Sequence, residues 1–359
     1  MSAETMFQFK FKNVEYSFVR QTEFNSRARE LLYKTIWGTS EVKYRQMDIA
    51  NAVVPLGENI DVEHYYVVPL ADTKIVIASY LLFSKKLNID QEKIKVFYGS
   101  QLSVDPKHSG QGLGKIILNG AIESSRLHNP APRLDYAYVE TTNVNSYKLF
   151  KSLGYENLGT FHVPSFSRTF TKSDPRVIRL PFQERAAMVE LLNKFYHGHV
   201  LTDFEFSLNL NFYAVIKNHF GEIIAGAQYV PHHWYLESLA GIDGWFSIHL
   251  APWIPFLGRQ IKRDMHFVRF GNLYVKEGSE KDLCSLLVHL LNLNQVHTGT
   301  IYIDHRSSIY TKLKNIGLGI VNSLAGENPV ELMIHPVGVD KSVRDRIKEG
   351  PIHISLLDA

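Results

Sequence analysis

Apolar residues recur with two different periods along the chain, and the change of period marks out the elements. Phe24–Trp37 (FNSRARELLYKTIW) reads as an amphipathic helix. Tyr65–Leu70 and Ile75–Phe83 are rich in Val, Ile, Leu and Tyr and are separated by a short polar stretch containing Ala-Asp-Thr, which predicts an antiparallel hairpin. Lys93–Val104 reads as a long strand ending at Asp105-Pro106. Leu113, Ile116, Ile117 and Ala121 then share one face of a helix that begins near Gly112. A strand over Leu134–Glu140 and a helix over Asn143–Leu153 follow, with Gly154 as the stop signal of that helix.

The second half of the chain repeats this programme. RELLYKTIW (29–37) has a counterpart in VELLNKFYH (189–197), YYVV (65–68) in FYAV (212–215), and IVIASYLL (75–82) in IIAGAQYV (223–230). FYGSQLSV (97–104) matches RFGNLYVK (269–276), and YKLFKSLGY (147–155) matches YTKLKNIGL (310–318). Five short matches in one order, each in the same type of element, point to an internal duplication of about 150 residues per copy rather than a short-period solenoid. The polar, proline-containing TKSDP stretch (171–175) is the natural join, which divides the chain into domains 1–172 and 173–359.

Composition narrows the function classes. At 359 residues the length suits two domains. Lys plus Arg (39) nearly balances Asp plus Glu (36), so no electrostatic drive toward nucleic acid or an anionic membrane is present. The single cysteine, Cys284, leaves no internal disulfide or thiolate zinc site and fits a reducing compartment. The N-terminal residues lack a secretory h-region, and no run of 18 apolar residues occurs, so a cytoplasmic protein without membrane spans is expected.

The chemistry concentrates in residues 102–117, LSVDPKHSGQGLGKII. Gly110, Gly112 and Gly114 let the backbone turn sharply and bring its N–H groups close to a ligand. The helix that follows adds orphan donors and the positive end of its dipole, which makes a pocket for a pyrophosphate or another anion, with Lys115 placed to add charge. Lys115 is followed by Ile116, which excludes a Walker A loop, and GQGLG lacks the glycine spacing of a dinucleotide fingerprint.

These residues resemble the GNAT superfamily of N-acetyltransferases. Leu102, Val104, Pro106, Gly112, Leu113 and Gly114 match its strand-loop-helix motif, with Ser109 at the usual Gln/Arg position. NVNSYKLFKSLGY matches a second motif through Asn143, Leu149, Gly154 and Tyr155, with Ser146 for Ala. The resemblance implies two tandem α/β domains, each a mostly antiparallel mixed sheet with a splayed pair of strands flanked by helices. It implies acetyl-CoA as cosubstrate, with its pyrophosphate on Ser109, Gly110, Gln111, Gly112, Leu113, Gly114 and Lys115. Its pantetheine arm would lie along Leu102, Ser103 and Val104, with Asn143, Ser146 and Phe150 on the other side. The implied reaction is direct acetyl transfer to a primary amine, on a small molecule or a peptide, without an acyl-enzyme.

Two positions depart from the family. Phe150 stands where a Tyr often protonates the leaving thiolate, and Tyr98 where some members carry a Glu base. Glu140, closing its strand at the expected groove, becomes the candidate base, and Tyr147 and Tyr98 the remaining catalytic candidates. Both departures also suit a non-catalytic acyl-CoA-binding or regulatory protein, which is the competing expectation. No metal is expected: His197-Gly198-His199 and His232-His233 lack a carboxylate or third His at ligand spacing, and HExxH is absent.

The second copy keeps only Gly278 of the loop, and Ser279 with Asp282 reads as a capping box that closes the helix end against phosphate. An aromatic insertion at 231–264 includes Trp234, Trp245, Phe246, Trp253, Pro255 and Phe256. Its apolar load is expected to be buried: in its own domain, against the first copy as a roof of the acceptor groove, or in a homodimer.

Overall fold

A computed structural model describes residues 3–38, 42–48, 61–89, 92–130, 132–168, 170–208, 212–250, 253–254, 262–316 and 329–356. Pro255 and Phe256 of the insertion, and the end of the 310–318 match, lie outside the described residues. In chain order the first half contains β1 (Glu4–Phe11), β2 (Val14–Gln21), α1 (Ala28–Lys34), β3 (Trp37–Gly38), β4 (Val42–Gln46), β5 (Asp61–Pro69), β6 (Ala78–Ile89) and β7 (Glu92–Val104). It continues with α2 (Leu113–His128), β8 (Arg133–Glu140), α3 (Val144–Ser152), β9 (Glu156–His162) and β10 (Ser165–Ser167). The second half contains β11 (Val177–Arg179), α4 (Arg185–Phe195), α5 (Phe204–Ser207), β12 (Tyr213–Lys217), β13 (Ile223–Leu239) and α6 (Gly241–His249). β14 (Asp264–Val275), α7 (Glu280–Leu293), β15 (Thr298–Ile301), α8 (Ser308–Ile316), β16 (Pro329–Val337) and α9 (Lys341–Glu349) complete it.

The strands form two mixed sheets with helices against them, the expected fold class. The first runs β1-β2-β5-β6-β7-β8-β16-β9 and the second β10-β15-β14-β13-β12-β11. Strands from each half enter the other half's sheet. β16, from the second half, lies antiparallel between β8 and β9, with Leu332, Met333 and Ile334 fully buried. β10, from the first half, pairs with β15 in the second sheet. β4 also crosses over, pairing with the distal part of β13 while β12 holds its proximal part. A chain cut at 172/173 would therefore remove a central strand from one sheet and an edge strand from the other.

Both sheets carry the same irregularity. In β7 the register against β6 slips between the Ser79–Ser103 and Leu81–Ser100 pairs, with Gln101 at φ 56°. In β14 it slips against β13 between Gly226–Tyr274 and Gln228–Gly271, with Asn272 at φ 46°. Such a bulge bends the strand and sharpens its twist. The bulges equate Gln101 with Asn272, one residue out of step with the match read from sequence.

Two readings need correction: the helix read over Phe24–Trp37 is only Ala28–Lys34, with Trp37 in a short strand, and the aromatic insertion is not buried throughout. An N-terminal hairpin, β1–β2, precedes α1; its turn, Lys12-Asn13 at φ 45° and 65°, is the I′ type. The 231–264 segment is strand up to Leu239, and Trp234 stacks on Tyr44 at 3.9 Å between centroids. Beyond Leu239, Ile248 is buried, but Trp245 is 55% and Trp253 86% exposed, so these two rings do not join a core of this chain.

Candidate functional site

β7 and β8 run parallel only from Lys95–Arg133 to Tyr98–Tyr136, after which the paired register ends. β7 continues to Val104 and β8 to Glu140, so their backbone groups on the facing edges are free of each other. This is the splay anticipated from sequence, and the bulge at Gln101 lies inside it.

The loop beyond β7 leaves the backbone donors at the start of α2 without a side-chain cap. Asp105 accepts a hydrogen bond from Lys107 N–H at 2.8 Å and sets up a short 3-10 turn at Pro106–His108. Ser109 N–H donates to Pro106 O, and the Gln111 side chain donates to Lys107 O, each at 3.3 Å. Gly110 and Gly112 take φ 71° and 80°, and a Cβ at either would meet nothing within 4 Å. Gly112 is the N-cap of α2 and offers no side chain to its first-turn donors. Leu113, fully buried, pins the helix start beneath the loop. A Cβ on Gly114 would just touch Leu149 of α3 and Val104 of β7, at 3.9 Å, so the cradle sits where loop, strand and α3 converge.

The walls of the splay are only partly as expected. Leu102 and Val104 are half-buried against the core that α2 and α3 share with the sheet. Ser103 is buried and its hydroxyl has no hydrogen-bond partner among the described residues. Asn143 caps α3, its Oδ1 accepting from Ser146 N–H at 3.1 Å. That leaves its NH₂ as the group able to meet a ligand. Phe150 is buried edge-on to Tyr155 at 4.9 Å.

Strand alternation separates the catalytic candidates. Tyr98 of β7 and Tyr136, Tyr138 and Glu140 of β8 share the face toward the second half, where the three tyrosine rings lie 5.2–5.8 Å apart. Tyr147 packs on the opposite face, with the α2–α3 core, and Lys151 lies over its ring. Burial pushes the Glu140 carboxyl above its ordinary range. Its field is felt by Tyr44 of β4 and Tyr302 after β15, whose phenols burial also raises. The Arg269 guanidinium sits 4.7 Å over the Tyr302 ring. Tyr44, Tyr302 and Arg269 were not anticipated, because they come from three separate segments of both halves and none carries a local motif.

The equivalent place in the second sheet is closed. Four residues (276–279) join β14 to α7, against eight (105–112) in the first half. Ser279 is the N-cap, but its side chain makes no cap bond; Asp282 instead pairs with Arg176 at 2.8 Å, which corrects the capping-box reading. The chain after α9 fills the gap between β14 and β15. His353 Nε2 bonds Asn272 Oδ1 at 2.7 Å, Ile352 N–H donates to Asp304 at 2.8 Å, and Leu356 lies over Gly271, where a Cβ would come within 2.6 Å of it. A cavity of only about 20 Å³ remains there.

Comparison with known proteins agrees with this geometry. Residues 32–155 match the profile of the acetyltransferase (GNAT) family. No curated protein sequence matches the chain. Among solved structures, two of Saccharomyces cerevisiae N-myristoyltransferase with bound myristoyl-CoA resemble it with TM-score 0.59 and 9% identity, over 88% of this chain and 82% and 78% of theirs. A GCN5-related N-acetyltransferase from Sphaerobacter thermophilus gives TM-score 0.44 and 13% identity over 78% of this chain and 82% of its own. At these identities the likeness concerns fold, and it extends across both sheets. The matched stretch, residues 32–155, holds the glycine loop, the splayed strands and Asn143, and it is there that the chain is similar to the acetyltransferase (GNAT) family.

Proposed function

We propose that the chain is an acyl-CoA-dependent N-acyltransferase that moves an acetyl group directly to a primary amine, on a small molecule or a peptide. The observation that carries this reading is the conjunction of an open glycine cradle with the splay of β7 and β8 that ends at Glu140. The N–H groups of Gln111 to Lys115 would hold the pyrophosphate, with Ser109 and Gly110 completing the loop. Leu102, Ser103 and Val104 would run beside the pantetheine arm, and Asn143, with Ser146 at its cap, would close on it from α3.

The chemistry asks little more of the chain. The amine nitrogen attacks the thioester carbonyl, a C–N bond forms and the C–S bond breaks. Glu140, directly or through water, takes the amine proton, and the leaving thiolate is protonated from solvent. Half-buried, with its carboxyl raised by desolvation, Glu140 suits a general base. Phe150 supplies no proton, so the general-acid role passes to water, and Tyr147, on the far face, is a packing residue in this reading. The Tyr98, Tyr136 and Tyr138 rings cluster at the point where the strands part, and we read this crowding as favouring an acetyl group over a long chain. The two halves are read as tandem copies, 1–172 and 173–359, of which only the first binds acyl-CoA.

Among the described residues no helix is long and apolar enough to cross a membrane, which suits a cytoplasmic enzyme. The test is release of free thiol from acetyl-CoA and from myristoyl-CoA, with and without an amine or a peptide N-terminus. Release from acetyl-CoA that needs the acceptor supports the proposal. Binding without release favours the non-catalytic acyl-CoA-binding alternative, and preference for the long chain would overturn the acetyl assignment.

A further inference from the structure

The hairpin of β13 and β14 carries three metal-ligating side chains to one spot on the second sheet. His233 stands directly across from His266 in the antiparallel register, and Asp264 precedes His266 by two residues, on the same face of its strand. His233 Nε2 lies 2.5 Å from Asp264 Oδ1, and His266 Nε2 lies 3.6 Å from Asp264 Oδ2. The two imidazoles stack with centroids 4.0 Å and planes 17° apart. One ligand atom from each residue lies within 4.8 Å of the other two. Two ligands held about 2.0–2.1 Å from a tetrahedral ion stand roughly 3.3 Å from each other. The two measured separations fall on either side of that value, and the stacked imidazoles would have to turn out of their parallel arrangement to aim both lone pairs at one ion.

We propose that His233, Asp264 and His266 bind a first-row divalent ion of the Zn²⁺ class. Two imidazole nitrogens and one carboxylate oxygen suit Zn²⁺ and its neighbours rather than Mg²⁺ or Ca²⁺, which take oxygen ligands. Asp264 and His266 are more than half exposed, which leaves the remaining coordination positions to water and makes the ion exchangeable. The scaffold beneath is fixed. Met47 N–H donates to His233 O at 2.8 Å, and His233 N–H donates to Asp48 at 3.2 Å. Asp48 in turn pairs with His232 Nδ1 at 2.9 Å. His232-His233 was dismissed from sequence for want of a third ligand; the structure supplies two from across the hairpin. An ion here would clamp β14 to the part of β13 that already carries β4, so it would strengthen the joint between the two halves. The inference is independent of the acyl-transfer reading.

The test uses the full chain, stripped with a chelator and titrated with ZnCl₂ by calorimetry and with CoCl₂ by visible absorption. One ion per chain is expected, with ligand-field bands of nitrogen and oxygen coordination and a rise in Tm on adding Zn²⁺. His266→Ala and the gentler Asp264→Asn should each weaken binding by at least about tenfold and abolish the Tm rise. His219→Ala, at an exposed histidine outside the cluster, should change neither. Absence of binding to the wild type overturns the proposal. So does binding, single or multiple, that survives both cluster variants, since the three residues would then be a hydrogen-bonded group alone.

Discussion

Gly112→Glu separates a phosphate cradle from a mere helix entry. Gly112 has φ 80° and ψ 0°, and a non-glycine residue held in this left-handed region costs about 1–2 kcal/mol. A Cβ there meets nothing within 4 Å, so the chain should fold with a modest drop in Tm. The effect on binding should be larger. The new carboxylate lies at the positive end of α2 and takes up the roughly 0.3–1 kcal/mol that this helix end offers to an anion, so the phosphate loses it. Displacing the phosphate from a single charge-assisted N–H bond removes about 1.5–3 kcal/mol more. Together these amount to roughly 2–4 kcal/mol, or about a 30- to 700-fold rise in Kd for acetyl-CoA. Gly278→Glu is the matched control: it has the same φ of 80° and the same open space, so the strain is equal, but the loop is short and acidic. Calorimetric titration of both variants should show the loss in the first alone. Wild-type affinity in Gly112→Glu, or equal losses in both variants, would refute the assignment of the cradle.

Other consequences follow from buried charge and from the closed second splay. Glu140→Gln should lower kcat far more than it changes acetyl-CoA affinity, and should remove an acid limb lying above the ordinary carboxylate range in the pH–rate profile. Because folding favours the protonated carboxyl, the wild type loses stability as pH rises from the ordinary carboxylate pKa through the raised one, so the Gln variant should melt higher near neutral pH and about equally in acid. Arg133→Met leaves Asp135, whose pKa burial already raises to about 6, without its partner at 3.1 Å. A loss of about 3–5 kcal/mol is expected in denaturant unfolding, with part recovered by adding Asp135→Asn. His353→Ala deprives Asn272 Oδ1 of its 2.7 Å partner and should cost about 1–3 kcal/mol without altering acetyl-CoA affinity. Burial lowers the His353 pKa to about 4, so the unfolded chain takes up a proton first on acidification. Stability lost between about pH 6.5 and 4 should therefore be smaller in this variant.

The parts of the site that were legible in the sequence are those whose physics is local. A glycine loop must announce itself in glycines, since only they take φ of 71° and 80° beside a ligand, and the helix it opens shows its face in Leu113, Ile117 and Ala121. The order of strands and helices followed from periodicity for the same reason. What stayed hidden depends on partners far away in sequence. β16 alternates like any half-buried strand, and nothing in Pro329–Val337 says that it completes the other half's sheet. The segment Ile352–Leu356 reads as an ordinary apolar terminus, yet it fills the splay of the second sheet. Ser279 and Asp282 carry a capping signature, but Arg176, a hundred residues earlier, gives Asp282 a stronger partner than the backbone. Tyr44 and Tyr302 come within the field of Glu140, and Arg269 lies over Tyr302, only because β4 pairs with β13 and β15 with β14 in the second sheet.

The account stands most directly on where the acyl group goes. Acetyl-CoA labelled with ¹³C in the acetyl carbonyl would be incubated with the full chain and an amine acceptor, and both protein and acceptor followed by mass spectrometry. The account predicts that the label appears on the acceptor nitrogen, that the protein stays unlabelled throughout, and that transfer fails in Gly112→Glu. Label that accumulates on the protein before reaching the acceptor, or that never leaves coenzyme A across a broad panel of amines, would contradict it.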